Sequence, residues 1–577
     1  MTDPEKVRAR CEAHDMAYDP AVHSGCIVCR REEAEGLEEQ DPGKPRWPIV
    51  VAITFVTIAA SGIAIGVFGY QKHQQTLEAD GPTEPVVGAI GGTLPEDEGY
   101  SVMLGREGVN DAGSPKDLPD KLALLNLLRK KRYRLLNTSI EGLQDEADAD
   151  LRKEHWPSTA LEAFASPDRR LGQRLDAWVR ATPGSFAPHL ARAKHRIGLA
   201  FHYRGGKWAH LPSKKRMAKM AKLLGRAETD IKRALSKRPN LPGAASMRLW
   251  IAAGVGADLA TRDAILEQAL EECPYCYGVR ADYIVSVSPR WGGTYELMQE
   301  KAERWQFVKH NPGLARLLSL TDYERCVRLL LAEEYEEAVG MCARSLDTGP
   351  IAGAYLSQAK ALALLERYDE AVEAYTRALE IAPQSLEGLE GRGAVLLRLE
   401  RYDQAAKDLA LVLRLDPTNR SAENNLDHIL KKLVLMAYYQ AEAGEVDAAI
   451  ANFDRVLDMH PRYADAFAYR GYAYLKKDDV VQAEKDLLTA IKLDPRNLQA
   501  YRGLDATLFR QKRLDEIIAH WNRYLKRKPK DAEALLERSG TYYHKGEMEL
   551  ALRDVRAACK LGNEDACATQ RRFAPSR

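Results

Sequence analysis

Roughly the last 260 residues of this 577-residue chain repeat every 34. Prolines recur at Pro383, Pro417, Pro461, Pro495 and Pro529, spaced 34, 44, 34 and 34. Each closes the same pattern. In residues 352–385, Tyr355, Ala359 and Leu362 lie along one helical face, and Ala371, Tyr375 and Ala378 along the next, before Pro383 ends it. A helix pair of this size cannot bury its apolar face alone, so neighbouring pairs must stack into a curved solenoid.

The period and the small-residue positions resemble the tetratricopeptide repeat (TPR). Units register at 319–350 (Ala338, Ser345, Pro350), 352–385, 386–419 (Gly393, Ala405, Leu409) and 430–463 (Ala437, Gly444, Ala449, Phe453). They continue at 464–497 (Gly471, Tyr474, Ala483, Ala490), 498–531 and 532–565 (Ser539, Gly546, Ala551, Ala558). The ten extra residues 420–429 are expected to lengthen a first helix. Unit 498–531 is degenerate, with Asp505 and Ile517 where small residues usually sit. The resemblance implies an all-α TPR-type solenoid that binds a protein or peptide on its concave face. The first helices would line that face and present Arg398, Tyr438, Tyr472, Lys476, Arg502, Phe509, Arg510 and Tyr543. Mixed aromatic and basic side chains suit an extended peptide or an amphipathic helix with acidic groups. Packing between repeats is the competing use of the aromatics. The lysine-asparagine pattern by which some TPRs clamp a C-terminal carboxylate is absent from these positions.

Ahead of the repeats, Ile49 to Tyr70 is a run of 22 residues without charge. At about 1.5 Å per residue it spans roughly 30 Å of hydrocarbon. Trp47 and Tyr70 flank it as interfacial aromatics. The run begins too late, and is too long, for a cleaved signal peptide. Lys6, Arg8, Arg10, Arg30, Arg31, Lys44 and Arg46 precede it, while the 35 residues after it hold only Lys72. The basic side stays cytoplasmic, so the expectation is a single-pass protein of a bacterial inner membrane with its repeats in the periplasm. Gly62 and Gly66 form a GxxxG pair able to bring two such helices together as a homodimer.

The first 46 residues are too few for an apolar core. They carry Cys11-x2-His14 and Cys26-x2-Cys29, four ligands for a structural zinc ion, with Gly25 bending the chain into the second pair. The pattern resembles a zinc-ribbon-like module; His23 is an alternative fourth ligand, and a tail of free thiols the alternative reading. Residues 71–119, rich in Gly, Pro and acid, are expected to form a flexible spacer. A helical stripe resumes at Leu122, Leu124, Leu125, Leu127 and Leu128.

Residues 120–310 are expected to be an irregular helical, TPR-like domain. Second helices end at Pro239 and Pro274, and a helix starts near Thr294. Together with LDAWVRATPGS, the SPRWGGTYELM segment resembles an uncharacterised bacterial helical family found joined to TPRs, which implies no activity. The basic run Lys207, Lys214, Lys215, Arg216, Lys219 and Lys222 suits anionic lipid, an acidic partner, or simply solvent.

Cysteines beyond residue 270 fall in near pairs. Cys273-Pro274-Tyr275-Cys276 matches a redox CxxC in letters but falls on a repeat-terminating turn, so a structural disulfide is the expectation and a thiol-disulfide oxidoreductase the alternative. Cys326 and Cys342 sit at the eighth and twenty-fourth positions of their unit, facing across a hairpin. Cys559 and Cys567 resemble the spacing of cysteine-rich solenoid repeats, which implies a staple between helices. Reduced core thiols would fit a cytosolic domain equally. With 84 basic against 83 acidic residues the chain is not a general nucleic-acid binder. No Ser/His/Asp set, phosphate loop or carboxylate pair marks a hydrolase or kinase, so the expected role is a non-enzymatic scaffold. A receptor with cytosolic repeats is the alternative.

Overall fold

The computed structural model describes residues 101–109, 115–204 and 213–572, together with the backbone of two short strands near the start. In those strands Ala9 pairs with Tyr18 and Arg10 with Ala17, antiparallel. Cys11, His14, Cys26, Cys29, Gly62, Gly66 and the uncharged run 49–70 lie outside the described residues. Among the described residues no helix is long and apolar enough to cross a membrane.

The rest is helical, with 25 α-helices between Lys121 and Arg572. From residue 319 onward they alternate in hairpins. Ala352–Leu364 pairs with Tyr368–Ile381, Leu386–Arg398 with Tyr402–Leu415, and Ala464–Lys476 with Val480–Leu493. The lengthened helix is Arg420–Glu442, so residues 420–429 do extend it. Side-chain oxygens of Ser385, Asn419, Asn497 and Asp531 accept N–H groups at four helix starts, satisfying donors the helix cannot.

The hairpins close by one recurring device. A single left-handed residue follows each first helix: Glu333, Glu366, Glu400, Gly444, Asp478, Lys512 and Gly546, with φ between 56° and 92°. The next residue donates its N–H back to a carbonyl five positions earlier, as in Arg367 N to Leu362 O at 2.9 Å and Glu547 N to Tyr542 O at 2.9 Å. This ends the first helix and reverses the chain within three residues. Ala371, Ala405, Ala449, Ala483 and Ala558 are then fully buried where the paired helices touch. A Cβ on Gly471 would sit 2.7 Å from Leu487 Cγ, so no larger side chain fits there.

The N-terminal half uses the same turn at Lys131 and Gly256. Its longest hairpin pairs Ala187–Arg204 with Lys214–Leu235. The last part of the expected spacer is folded. Leu104 N donates to Leu118 O at 2.9 Å and Lys116 N to Gly108 O at 2.9 Å, folding 101–120 back on itself. This segment docks on the repeats: Arg106 donates to Glu380 O at 2.9 Å, and Gln384 both accepts from Lys121 N at 2.7 Å and donates to Asp120 at 2.8 Å. One apolar core therefore runs from Leu124, Leu127 and Trp178 into Leu409, Val412 and Phe453.

Candidate interaction groove

Successive first helices, such as Arg420–Glu442, Ala464–Lys476 and Leu498–Arg510, pack directly on one another, while the second helices spread apart. A stack tighter on one side curves towards it, which places the first helices on the inside.

An aromatic band crosses this inner face. The Tyr438 ring lies 5.3 Å from Tyr469, 6.0 Å from Tyr472 and 5.6 Å from Tyr439. The ammonium of Lys476 sits 5.5 Å over the Tyr472 ring and 3.1 Å from Glu442 Oε1. Its bonds to Lys476 and Tyr472 hold the Glu442 carboxyl below its ordinary range. Further along, Phe509 meets His544 edge-on at 4.9 Å, and His544 meets Tyr543 at 5.7 Å. Phe509 and Tyr543 remain 44% and 50% exposed, which is high for large apolar rings in a folded array.

Two of the three predicted guanidiniums are occupied. Arg502 donates to Glu537 at 2.8 Å and to Glu533 at 3.1 Å. Arg510 donates to Asp478 at 2.9 Å and to Leu475 O at 3.0 Å. Arg398 is exposed. Thus Tyr438, Tyr472 and Lys476 come together in one cluster and Phe509 and Tyr543 in a second, bridged by His544. Tyr439, Tyr469, Glu442 and His544 were missed. Tyr469 precedes Tyr472 by three on one helix, a spacing that signals a shared face. The resulting surface is aromatic and locally charge-balanced, suited to stacking and to hydrogen bonds rather than to a bare cationic clamp.

A ladder of buried ion pairs fixes the hairpins behind this face. Arg392 grips Asp408 at 2.7 and 2.9 Å, Arg470 grips Asp486 at 2.6 and 2.9 Å, and Arg538 grips Asp554 at 2.6 and 3.0 Å, each pair 16 residues apart. Each arginine also reaches 16 residues back, to Thr376, Asp454 or Asn522 on the preceding hairpin. Arg192 does the same in the N-terminal half, joining Asp176 to the fully buried Asp230. The constant spacing of 16 was the available signal. Trp521 and Asp505 use it too, with Nε1 donating at 2.7 Å, which explains the irregular unit 498–531.

Among the described residues there are three disulfides. Cys273–Cys276 has a Cα–Cα distance of 5.5 Å, Cys326–Cys342 one of 5.2 Å and Cys559–Cys567 one of 4.6 Å. Cys273–Cys276 closes the turn between Leu259–Glu272 and Tyr277–Ser286. Beside it the Glu154 carboxylate accepts the Tyr277 N–H at 2.8 and 3.0 Å; burial raises its pKa to about 7.

The repeats have recognisable relatives among known proteins. The tetratricopeptide repeat family model matches residues 328–385, 356–420, 434–497 and 507–566. The Hsp70-Hsp90 organizing protein of Triticum aestivum is 26% identical over 184 residues, 32% of this chain and 30% of that protein. Sperm-associated antigen 1 of Rattus norvegicus is 34% identical over 100 residues, 17% of this chain and 11% of that protein. The chain thus spans a third or less of the length of these relatives. Among solved structures, YrrB, described as a TPR protein with an unusual peptide-binding site, is 23% identical with a TM-score of 0.20, covering 32% of this chain and 90% of that one. The P58(IPK) TPR domain is 13% identical with a TM-score of 0.21, covering 71% of this chain and 98% of that one. Residues 328–566 of this chain are an array of tetratricopeptide repeats.

Proposed function

We propose that this chain is a membrane-anchored scaffold whose first-helix face holds a protein or peptide partner. The observation that carries the reading is the Tyr438–Tyr469–Tyr472 band with the exposed Phe509 and Tyr543 beyond it. Clustered, partly exposed aromatics on an otherwise charged array are the kind of surface that gains most from being covered. A photoreactive residue placed at Phe509 or Tyr472 should crosslink a specific partner, and the same group at Val481, 77% exposed on a second helix, should not. Equal crosslinking from both positions would remove the groove reading. No catalytic role is assigned to any residue.

The uncharged run 49–70 supplies the anchor, in this reading through an inner membrane, with the N-terminus cytoplasmic and the repeats periplasmic. The three disulfides suit an oxidising compartment. Impermeant thiol reagents test this. Cysteines 273–567 should label in intact cells only after reduction; labelling that needs permeabilisation but no reduction would put the repeats in the cytosol. Cys11, His14, Cys26 and Cys29 would bind one structural zinc ion on the cytoplasmic side, giving one zinc per chain by native mass spectrometry and none after their replacement. Gly62 and Gly66 would pack two anchors together.

A chaperone partner is a second reading, carried by the likeness to Hsp70-Hsp90 organizing proteins. Direct titration with Hsp70 and Hsp90 tests it, and absence of binding to both removes it.

A further inference from the structure

The helix Lys214–Leu235 differs electrostatically from the rest of the array. Many exposed cations of the repeats carry a carboxylate partner, such as Arg401 with Asp369, Lys477 with Asp447 and Lys545 with Asp515. Here Lys215, Lys219, Lys222, Arg226 and Arg233 follow one another at steps of 4, 3, 4 and 7, a single helical stripe, and all are exposed, Lys219 with its ammonium 3.4 Å over the Tyr203 ring rather than on a carboxylate. The stripe is about 27 Å long at ~1.5 Å per residue. The helix has two carboxylates, and neither balances it. Glu228 pairs with Arg248 at 3.3 Å, and Asp230 is fully buried and bound by Arg192 and Arg196. Arg233 comes only within 3.9 Å of that same Asp230. Between the cations stand exposed Ala218, Ala221 and Gly225, so nothing bulky holds a flat surface away. The opposite side, with Met220, Leu224, Ala227 and Ile231, is locked in the core.

We infer that this stripe is a docking surface for an anionic phospholipid bilayer, which lays the N-terminal half of the array against the membrane. The inference rests on the anchor proposed above. A row of exposed cations whose intervening acids, Glu228 and Asp230, are taken up by arginines of other helices matches a plane of phosphates, each lysine or arginine adding to the attraction within a Debye length. The uncharged run 49–70 ends 30 residues before Ser101, so a bilayer holding it stays within covalent reach of the helix. Such a tether sets an effective concentration of about millimolar, enough to make a modest electrostatic contact persistent.

The full chain in nanodiscs tests this by acetylation footprinting of its lysines. In discs of phosphatidylcholine with phosphatidylglycerol, Lys215, Lys219 and Lys222 should react about fivefold more slowly than in phosphatidylcholine alone. Lys526, Lys528 and Lys530 serve as controls and should not change. High salt should abolish the difference, and Arg226→Glu with Arg233→Glu should reduce it while leaving the lysines readable and the helical circular dichroism unchanged. Equal reactivity in both discs overturns the inference but leaves the anchor intact. Protection that appears only on adding duplex DNA or polyglutamate also overturns it, in favour of another polyanion. Failure to enter discs defeats the anchor instead. The same footprint with phosphatidylglycerol vesicles then decides, and unprotected lysines there overturn the docking surface.

Discussion

Five of the seven left-handed hairpin residues between 333 and 546 carry side chains: Glu333, Glu366, Glu400, Asp478 and Lys512. A Cβ in this conformation costs about 1 kcal/mol or more, while glycine adds entropy to the unfolded chain. Glu366→Gly should therefore stabilise by about 0.5 kcal/mol net, and Gly444→Ala should destabilise by about 1 kcal/mol, both readable by urea melts. At the same scale burial raises several acids, Glu154 to about 7 and Asp505 to about 6 among them. Their unfolded values are the ordinary 4.5 and 3.8. Between those limits the folded protein holds protons that the unfolded chain has released, so stability must fall as pH rises through the window. These two acids should therefore pull the melting temperature down between about pH 4 and about pH 7, and Glu154→Gln, which keeps an acceptor for Tyr277 N–H, should gain stability over the parent across that window, read as the difference between the two melting curves.

The helical hairpin is the element whose geometry repeats, and the 16-residue spacing is its cross-brace. Thirteen residues of first helix and a three-residue turn bring position seven opposite position twenty-three. The same arithmetic sets Cys326 against Cys342 and Asp505 against Trp521. Asp554 is 2% exposed, so Arg538→Ala would leave a buried charge with only the longer, 3.4 Å contact to the exposed Arg553 and should cost about 3 kcal/mol. Replacing both, Arg538→Met with Asp554→Leu, should recover most of that loss, because the burial penalty goes with the pair. Denaturant titration of the two single variants and the double variant separates the terms.

Over the whole molecule the array is not merely a chain of nearest neighbours. Residues 101–129 return to the repeats more than 250 positions later, through Arg106, Asp120, Lys121 and Arg129, whose guanidinium donates to Arg414 O at 2.8 Å. A solenoid held only by adjacent contacts frays locally. This bridge should make two distant stretches open together. Gln384→Ala with Arg129→Ala is expected to speed hydrogen exchange in both Lys121–Arg129 and Leu386–Leu415, with Leu498–Arg527 unchanged. Independent exchange in the two stretches would show that the bridge carries no energy.

The repeat period, the helix pairs, the lengthened helix at 420 and the terminating prolines were all legible in the chain, because each is set by local rules: spacing along a helix, small residues at a crossing, proline after a helix end. The pairing of Tyr438 with Tyr469 and Tyr472, the carboxylates that occupy Arg502 and Arg510, and the return of residues 101–129 to the repeats were not legible. They depend on the curvature of the stack, which brings residues of different units within hydrogen-bond or ring contact. That curvature is a sum of many small packing angles, and no short stretch of sequence contains it.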